Sequence, residues 1–250
     1  MGSAARIDVL GVGFDDITIG QAVECACDSM RGEGKAYFVT PNPEIVWVCR
    51  RNDNLRNVID GAKLVLADGI GIILGARILG TPLQGGRIPG INFAAALFME
   101  MAETGGSVFL LGSIPGVAVE AGKKLTEEYP GLVVTGTADG YFNDDAPVIE
   151  KINSASPDLL LVCLGAPKQE FWMAENAGKL DVPLSVGLGG ALDIFAGKTK
   201  RAPALFQKLG LEWLYRLIRE PRRLKRMTKL PLFLFTVIAA RFGGKRQVER

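Results

Sequence analysis

The sequence contains no histidine. That absence excludes a Ser-His-Asp or Cys-His nucleophilic centre and every histidine-ligated metal site. Cysteine is sparse. Cys25, Cys27, Cys49 and Cys163 stand in apolar surroundings without CxxC spacing, the pattern of buried thiols in a reducing compartment. No apolar run approaches the roughly eighteen residues of a membrane-crossing helix, and the longest candidate, 230–240, has eleven. The first residues carry no signal-peptide pattern. There is no GxxxxGK[ST] loop, which disfavours ATP handling by a P-loop, and no strict GxGxxG dinucleotide fingerprint. Neither a DxD pair nor another carboxylate cluster recommends Mg²⁺, so no metal and no cofactor are expected. No internal repeat and no low-complexity tract interrupts the chain.

What is present is enough for a large core. With 250 residues, 48% of them apolar, the chain can form one α/β domain carrying an appendage. Its formal charge of +2 conceals a division. From Lys198 onward there are fifteen Lys or Arg against three Asp or Glu, a net of +12, whereas residues 1–197 carry fourteen against twenty-four, a net of −10. The C-terminal quarter is thus aimed at phosphate, in nucleic acid or at a membrane surface.

Short apolar runs alternate with helical patterns. Strands are expected at 36–40, 63–67, 107–111, 132–135, 158–164 and 183–187, and a strand or hairpin at 7–14. Helices are expected at 43–50, 53–60, 70–79, 90–103, 115–129, 145–154 and 168–179. Thr18 and Gln21 have capping-box spacing for a further helix over 19–30. This order predicts a Rossmann-like α/β fold, a mostly parallel sheet flanked by helices. Residues 1–197 would form that catalytic domain, and 198–250 a basic amphipathic helical appendage. The pairs Asp15–Asp16 and Asp144–Asp145 read as solvated turn charges.

Ligands of such sheets collect at the carboxyl ends of the strands, so the polar segments following the strands are the places to search. Asp68 follows the run LVLA and fits either a general base or an N-cap for 70–79. Thr40 and Asn42 can bind a sugar or fix that carboxylate, or Asn42 can make an Asx-turn before Pro43. Pro167, Lys168, Gln169 and Glu170 open a helix, with Lys168 opposing its dipole. Gln169 can hold a base or sugar hydroxyl, and Glu170 reads first as support for the helix start. Gly189 and Gly190, within GLGGALD, make either an anion-binding nest or a bare turn.

Seven blocks stand in order along the chain: TPNPEIV at 40–46, LADGIGI at 66–72, RIPGIN at 87–92, FLLGSIPG at 109–116, ADGYF at 138–142, LGAPKQEFW at 164–172 and VGLGGALDIFAGKTKRAP at 186–203. Together they resemble the WecG/TagA/CpsF family of bacterial glycosyltransferases, over roughly Ile7 to Phe242. The resemblance implies transfer from a UDP-sugar, best known as UDP-N-acetylmannosamine, to undecaprenyl-diphosphate-linked GlcNAc at the cytoplasmic membrane face. It implies inversion, no divalent metal and a peripheral location on the bacterial plasma membrane. It further implies Asp68 as base, with Thr40, Asn42 and Gln169 completing the catalytic set. Expected substrate contacts are Arg87, Gly112, Ser113, Asp139, Gly140, Tyr141, Lys168, Glu170, Gly189 and Gly190. The alternatives are another UDP-hexose on the same fold, a different nucleotide-using α/β enzyme, or a membrane adaptor without catalysis.

The tail then acquires a role. Arg216, Arg219, Arg223 and Arg226 would form one basic stripe on a continuous helix, which Pro221 can split. Basic residues beside an apolar segment too short to cross fit a helix lying in the membrane interface. Nucleic acid is disfavoured as a partner, because no zinc module or RNA-binding motif accompanies the stripe. The resemblance further implies an appendage that meets the membrane and brings arginines over the site, and by position Arg216, Arg223 and Arg226 are assigned to the donor or lipid diphosphate. Arg219, Arg222, Lys225, Leu232, Phe233 and Phe235 are assigned to the anionic bilayer surface. Trp213 reads as a packing residue, and self-association to hide the tail's hydrophobic residues stays open.

Overall fold

A computed structural model describes residues 6–219, apart from the Arg216 side chain, and residues 228–243. Strands β1 (Arg6–Val9) and β2 (Val12–Asp15) form an antiparallel hairpin. The main sheet contains β3 (Ala36–Val39), β4 (Leu64–Val65), β5 (Ser107–Gly112), β6 (Val133–Ala138), β7 (Leu159–Cys163) and β8 (Leu184–Gly187). Their spatial order is β4-β3-β8-β7-β5-β6, and every neighbouring pair is parallel. Parallel strands need long crossovers. Here α1 (Ile19–Arg31), α2 (Pro43–Cys49), α3 (Asp53–Asp60), α4 (Ile70–Leu79), α5 (Gly90–Thr104) and α6 (Val117–Glu128) are followed by α7 (Asp145–Ala155), α8 (Lys168–Asn176) and α9 (Ala191–Phe195). The C-terminal part adds α10 (Ala204–Lys208), α11 (Glu212–Arg219) and α12 (Lys229–Gly243).

Continuous apolar strand sequences are explained by burial on both faces. Successive side chains of a strand point to opposite sides. Phe38, Leu64, Val108, Leu110, Leu159 and Leu161 enter one core with α1, α5, α6 and α9. Their neighbours Val39, Val65, Phe109, Leu111, Leu160 and Val162 enter the other, with α2, α3, α4, α7, α8 and the hairpin. The capping box at Thr18 and Gln21 is formed as its spacing predicts.

Of the two acidic pairs read as solvated, Asp144 is exposed as expected, but Asp15, Asp16 and Asp145 belong instead to the framework. Asp15 is buried, pairs with Arg6 at 3.3 Å and accepts the Val65 N–H at 2.7 Å. It joins the hairpin to β4, whose edge position leaves that N–H for a side chain to satisfy. Asp16 accepts the Gly85 N–H at 2.8 Å. Asp145 accepts from the Trp172 indole at 3.0 Å and the Asn176 amide at 3.2 Å, tying α7 to α8. Each carboxylate satisfies a donor that the fold would otherwise leave unpaired.

Helix α12 lies against α2 and α4. Phe233 and Val237 are fully buried and share the core that contains Val9, Ile72 and Trp172. This corrects the assignment of Phe233 to the membrane surface. Its ring fills the space that a glycine leaves, since a Cβ at Gly75 would stand 3.0 Å from the Phe233 Cζ. Gly71 permits a similar approach, with Pro43 Cγ 2.5 Å and Leu230 Cδ1 3.0 Å from where its Cβ would be. Polar contacts pin both ends: Lys229 pairs with Glu44 at 2.9 Å, and Arg241 donates to the Leu79 carbonyl at 3.3 Å. The opposite side shows Leu232 at 46% and Phe235 at 71% exposure, with Ile238 and Phe242. Among the described residues, no helix is long and apolar enough to cross a membrane.

Because Phe233 is locked into a tight glycine-lined slot, Phe233→Ala should lower global stability by about 3–5 kcal/mol. Urea unfolding measures this, and a loss below about 1 kcal/mol would show that α12 is not part of the cooperative unit.

Candidate active site

A cavity of about 480 Å³ opens at the carboxyl ends of β3, β4, β7 and β8. Strands β3 and β8 lie side by side although far apart in sequence, so their tips bring distant blocks together. The Thr40 hydroxyl closes this seam by donating to the Gly187 carbonyl at 3.0 Å. Thr40, Asn42, Asp68 and Gln169 all border the cavity, as do Arg87, Glu170, Gly189 and Gly190.

The local reasons differ from residue to residue. Asn42 is the N-cap of α2, its Oδ1 accepting from the Glu44 and Ile45 N–H groups at 2.9 and 3.2 Å. Asp68 is not a cap, because Gly69 with φ +92° begins α4 and no side chain caps that helix. The left-handed turn at Gly69 leaves the half-buried Asp68 at the cavity wall. Gln169 is buried and held at both ends of its amide. Its Oε1 accepts the Gly189 N–H at 2.8 Å, while Nε2 donates to Glu170 Oε1 at 3.0 Å. The glutamine therefore fixes the glycine loop after β8 to the first turn of α8.

Glu170 contributes more than support for that turn. It is 2% exposed, and its Oε2 has no hydrogen-bond partner among the described residues. Burial pushes its carboxyl above the ordinary value, opposed in part by the Gln169 amide. The thiols give no comparable chemistry. Burial pushes Cys49 and Cys163 up to about 12, so both remain protonated near neutrality.

Arg87 and Glu212, both on the wall, belong to an ionic cluster that Arg201 joins from outside the lining. Arg87 contacts Glu212 at 2.9 Å and also donates to the Gln207 carbonyl at 2.8 Å. Arg201 lies 3.6 Å from the other Glu212 oxygen and donates to Asn92. Glu212 and Trp213 bring α11 to the cavity, and Leu230 brings α12. Sequence reasoning missed Glu212 and Arg201 and took Trp213 for packing. The place of Glu212 on the wall and its pairing with Arg87, 125 positions away, mark that acid as part of the site.

The remaining candidates are not on the cavity wall. Gly112 is buried with φ +133°, and a Cβ there would lie 2.3 Å from the Cys163 carbonyl oxygen, which explains the glycine by strand packing. Ser113 donates to Asp193, a wall residue, at 2.9 Å. Asp139 accepts the Tyr141 N–H at 2.9 Å, and the Tyr141 side chain is exposed. Lys168 donates to Gly140 O at 3.2 Å and stands over the Phe142 ring. Arg219 packs over Tyr215 and is exposed. Arg222, Arg223, Lys225 and Arg226 lie outside the described residues, as does the Arg216 side chain. Among the described residues, no group of three or more Cys, Asp or Glu converges as a metal-binding set.

The raised Glu170 value has a stability consequence with a definite sign. A carboxyl held above its unfolded value favours the fold fully below the unfolded pKa, and that contribution is lost as pH rises through the folded one. Glu170→Gln should therefore melt above wild type at pH 7, with the difference shrinking towards pH 4. Thermal melts across that range test the sign.

Comparisons with known proteins agree on one family. The sequence model described as "Glycosyl transferase WecG/TagA/CpsF family" matches residues 7–247. A Bacillus spizizenii protein named N-acetylglucosaminyldiphosphoundecaprenol N-acetyl-beta-D-mannosaminyltransferase is 36% identical, over 81% of this chain and 79% of its own. A Staphylococcus aureus (strain MW2) protein of the same name is 33% identical, over 99% of this chain and 96% of its own.

Proposed function

The chain belongs to the WecG/TagA/CpsF family of glycosyl transferases, and from that premise we propose that it moves N-acetylmannosamine from UDP-N-acetylmannosamine to the C4 hydroxyl of undecaprenyl-diphosphate-linked GlcNAc. The observation that carries this reading is the convergence of Thr40, Asn42, Asp68 and Gln169 on one cavity from three separate sequence blocks. The names of the two relatives supply the sugars and the lipid.

In this mechanism Asp68 takes the proton of the acceptor hydroxyl as that oxygen attacks the anomeric carbon. The bond from that carbon to the UDP oxygen breaks in the same displacement, inverting the centre. No enzyme nucleophile is required. Thr40 and Gln169, each held by a backbone group of the segment 187–189, keep their part of the cavity wall in place. Charge developing on UDP is met by Arg87 and Arg201, with Arg216, Arg223 and Arg226 of the tail completing the cationic side. Prearranged donors of this kind let the reaction proceed without a divalent ion.

The enzyme acts as a peripheral protein on the cytoplasmic side of the membrane. This reading is supported by the outward row of Leu232, Phe235, Ile238 and Phe242 on α12 and by the net positive charge of the tail. Arg219, Arg222 and Lys225 are assigned to lipid headgroups.

Two outcomes are expected. Asp68→Asn should reduce transfer to a prenyl-diphosphate-GlcNAc analogue by about 10²- to 10⁴-fold, the usual worth of a general base, and wild-type activity should survive EDTA. Retained turnover in the mutant would remove Asp68 from the base role, and loss with EDTA would remove metal independence. Separately, Leu232→Glu with Phe235→Glu should weaken sedimentation with anionic vesicles while leaving the thermal midpoint within a few degrees. Unchanged vesicle binding would dismiss the α12 face as the membrane contact.

A further inference from the structure

Glu170 is a buried cavity residue that the catalytic scheme does not use. It sits on the first turn of α8, borders the cavity, and is 2% exposed. Its two carboxyl oxygens are not equivalent. Oε1 accepts from the Gln169 amide, and that amide is itself anchored to Gly189. Oε2 has no hydrogen-bond partner among the described residues. An unpaired buried oxygen of this kind carries a free-energy penalty unless a ligand meets it.

The surroundings decide its protonation. From α2 the neighbouring titratable group is the Cys49 thiol, and from the tip of β7 the cavity receives Cys163, both neutral. Glu44, Asp68, Asp193 and Glu212 line the same cavity, as does Arg87, which is paired with Glu212. On α8 itself, Lys168 is engaged at Gly140 and Phe142. Among the described residues, no Lys or Arg forms an ion pair with Glu170. Burial without a counter-charge favours the neutral form of this carboxyl and raises its value, opposed in part by the Gln169 amide. Oε1 is already an acceptor, which leaves the proton on Oε2 as a hydrogen-bond donor.

We infer that Glu170, in its neutral form, donates through Oε2 to the carbonyl oxygen of an N-acetyl group on a substrate sugar, and so selects N-acetylhexosamines over plain hexoses. The inference rests on the sugar-transfer reading above, whose relatives' names place an N-acetyl group on both sugars. An acetamido carbonyl is a strong neutral acceptor that a hexose hydroxyl at the same carbon does not reproduce. Such a donor discriminates because the smaller ligand leaves it buried and unpaired. Gln169 then acts as a positioning residue, holding the carboxyl in one rotamer through Oε1.

The experiment compares kcat/KM for two substrate pairs across pH. One pair varies the donor, UDP-N-acetylmannosamine against UDP-mannose. The other varies the acceptor, prenyl-diphosphate-GlcNAc against prenyl-diphosphate-glucose. In Glu170→Met the preference for one N-acetyl substrate should fall by about 10- to 100-fold, the effect of one buried hydrogen bond left unmade. The affected pair identifies which sugar is read. Glu170→Gln keeps an N–H donor at that place, so it should retain most of the preference. It should also lose the alkaline fall in kcat/KM expected of wild type where the neutral acid ionises.

Three results would overturn the inference. Preference could survive in Glu170→Met for both pairs. Glu170→Gln could be as unselective as Glu170→Met, which would mean that an anionic acceptor is required. The alkaline limb could persist unchanged in Glu170→Gln. If wild type transferred from neither donor to either acceptor, the sugar-transfer reading itself would fall, an outcome distinct from a selective effect confined to Glu170.

Discussion

The fold depends on keeping both faces of a parallel sheet dry. Each strand must supply apolar side chains alternately to two cores, as Val108, Phe109, Leu110 and Leu111 do in β5. Such strands have no room for chemistry along their length. Polar groups are admitted where pairing stops, at the carboxyl ends, and there the backbone must turn sharply into a helix. Glycine and small polar residues accumulate at those turns because of that requirement. The same requirement places Thr40, Asp68, Gln169 and Gly189 around one space. Function is confined to the edge because the middle is committed to burial.

Most of this was legible from periodicity. The apolar runs at 107–111 and 158–164 read as buried strands, and the strands span Ser107–Gly112 and Leu159–Cys163. The run at 63–67 predicts a strand, but only Leu64–Val65 pair as one, although the Lys63 and Leu66 N–H groups still bond the Tyr37 and Val39 carbonyls of the neighbouring strand. Local patterns said less about charges. Asp15, Asp16 and Asp145 look like turn acids until the distant donors Val65, Gly85 and Trp172 are placed beside them. Phe233 is indistinguishable in sequence from Phe235, yet a shift of two positions on a helix separates the core from the exterior. Only the hollow at Gly75 tells them apart.

The candidate site divides in the same way. Residues inside the ordered blocks were found because the blocks mark strand tips. Gly112 and Tyr141 also lie in such blocks, but one serves strand packing and the other points outward. Glu212 escaped notice because the stretch EWLYR reads as an ordinary amphipathic helix. Its carboxylate gains meaning from Arg87 and Arg201, which approach from separate parts of the chain. Proximity of charges in space leaves little trace in spacing along the sequence.

The seat of α12 has a geometrical consequence. This helix rests on α2 and α4, the two helices that begin beside Asn42 and Asp68. Its inner side is pressed into Gly71 and Gly75, while Leu232 and Phe235 look the other way. The outward row and the edge of the cavity thus belong to one packed unit. Whatever plane that row settles upon stands at a set height from the cavity. On the proposed membrane reading, a tethered substrate would need a stalk that spans this offset, a requirement of length beside the requirement of shape.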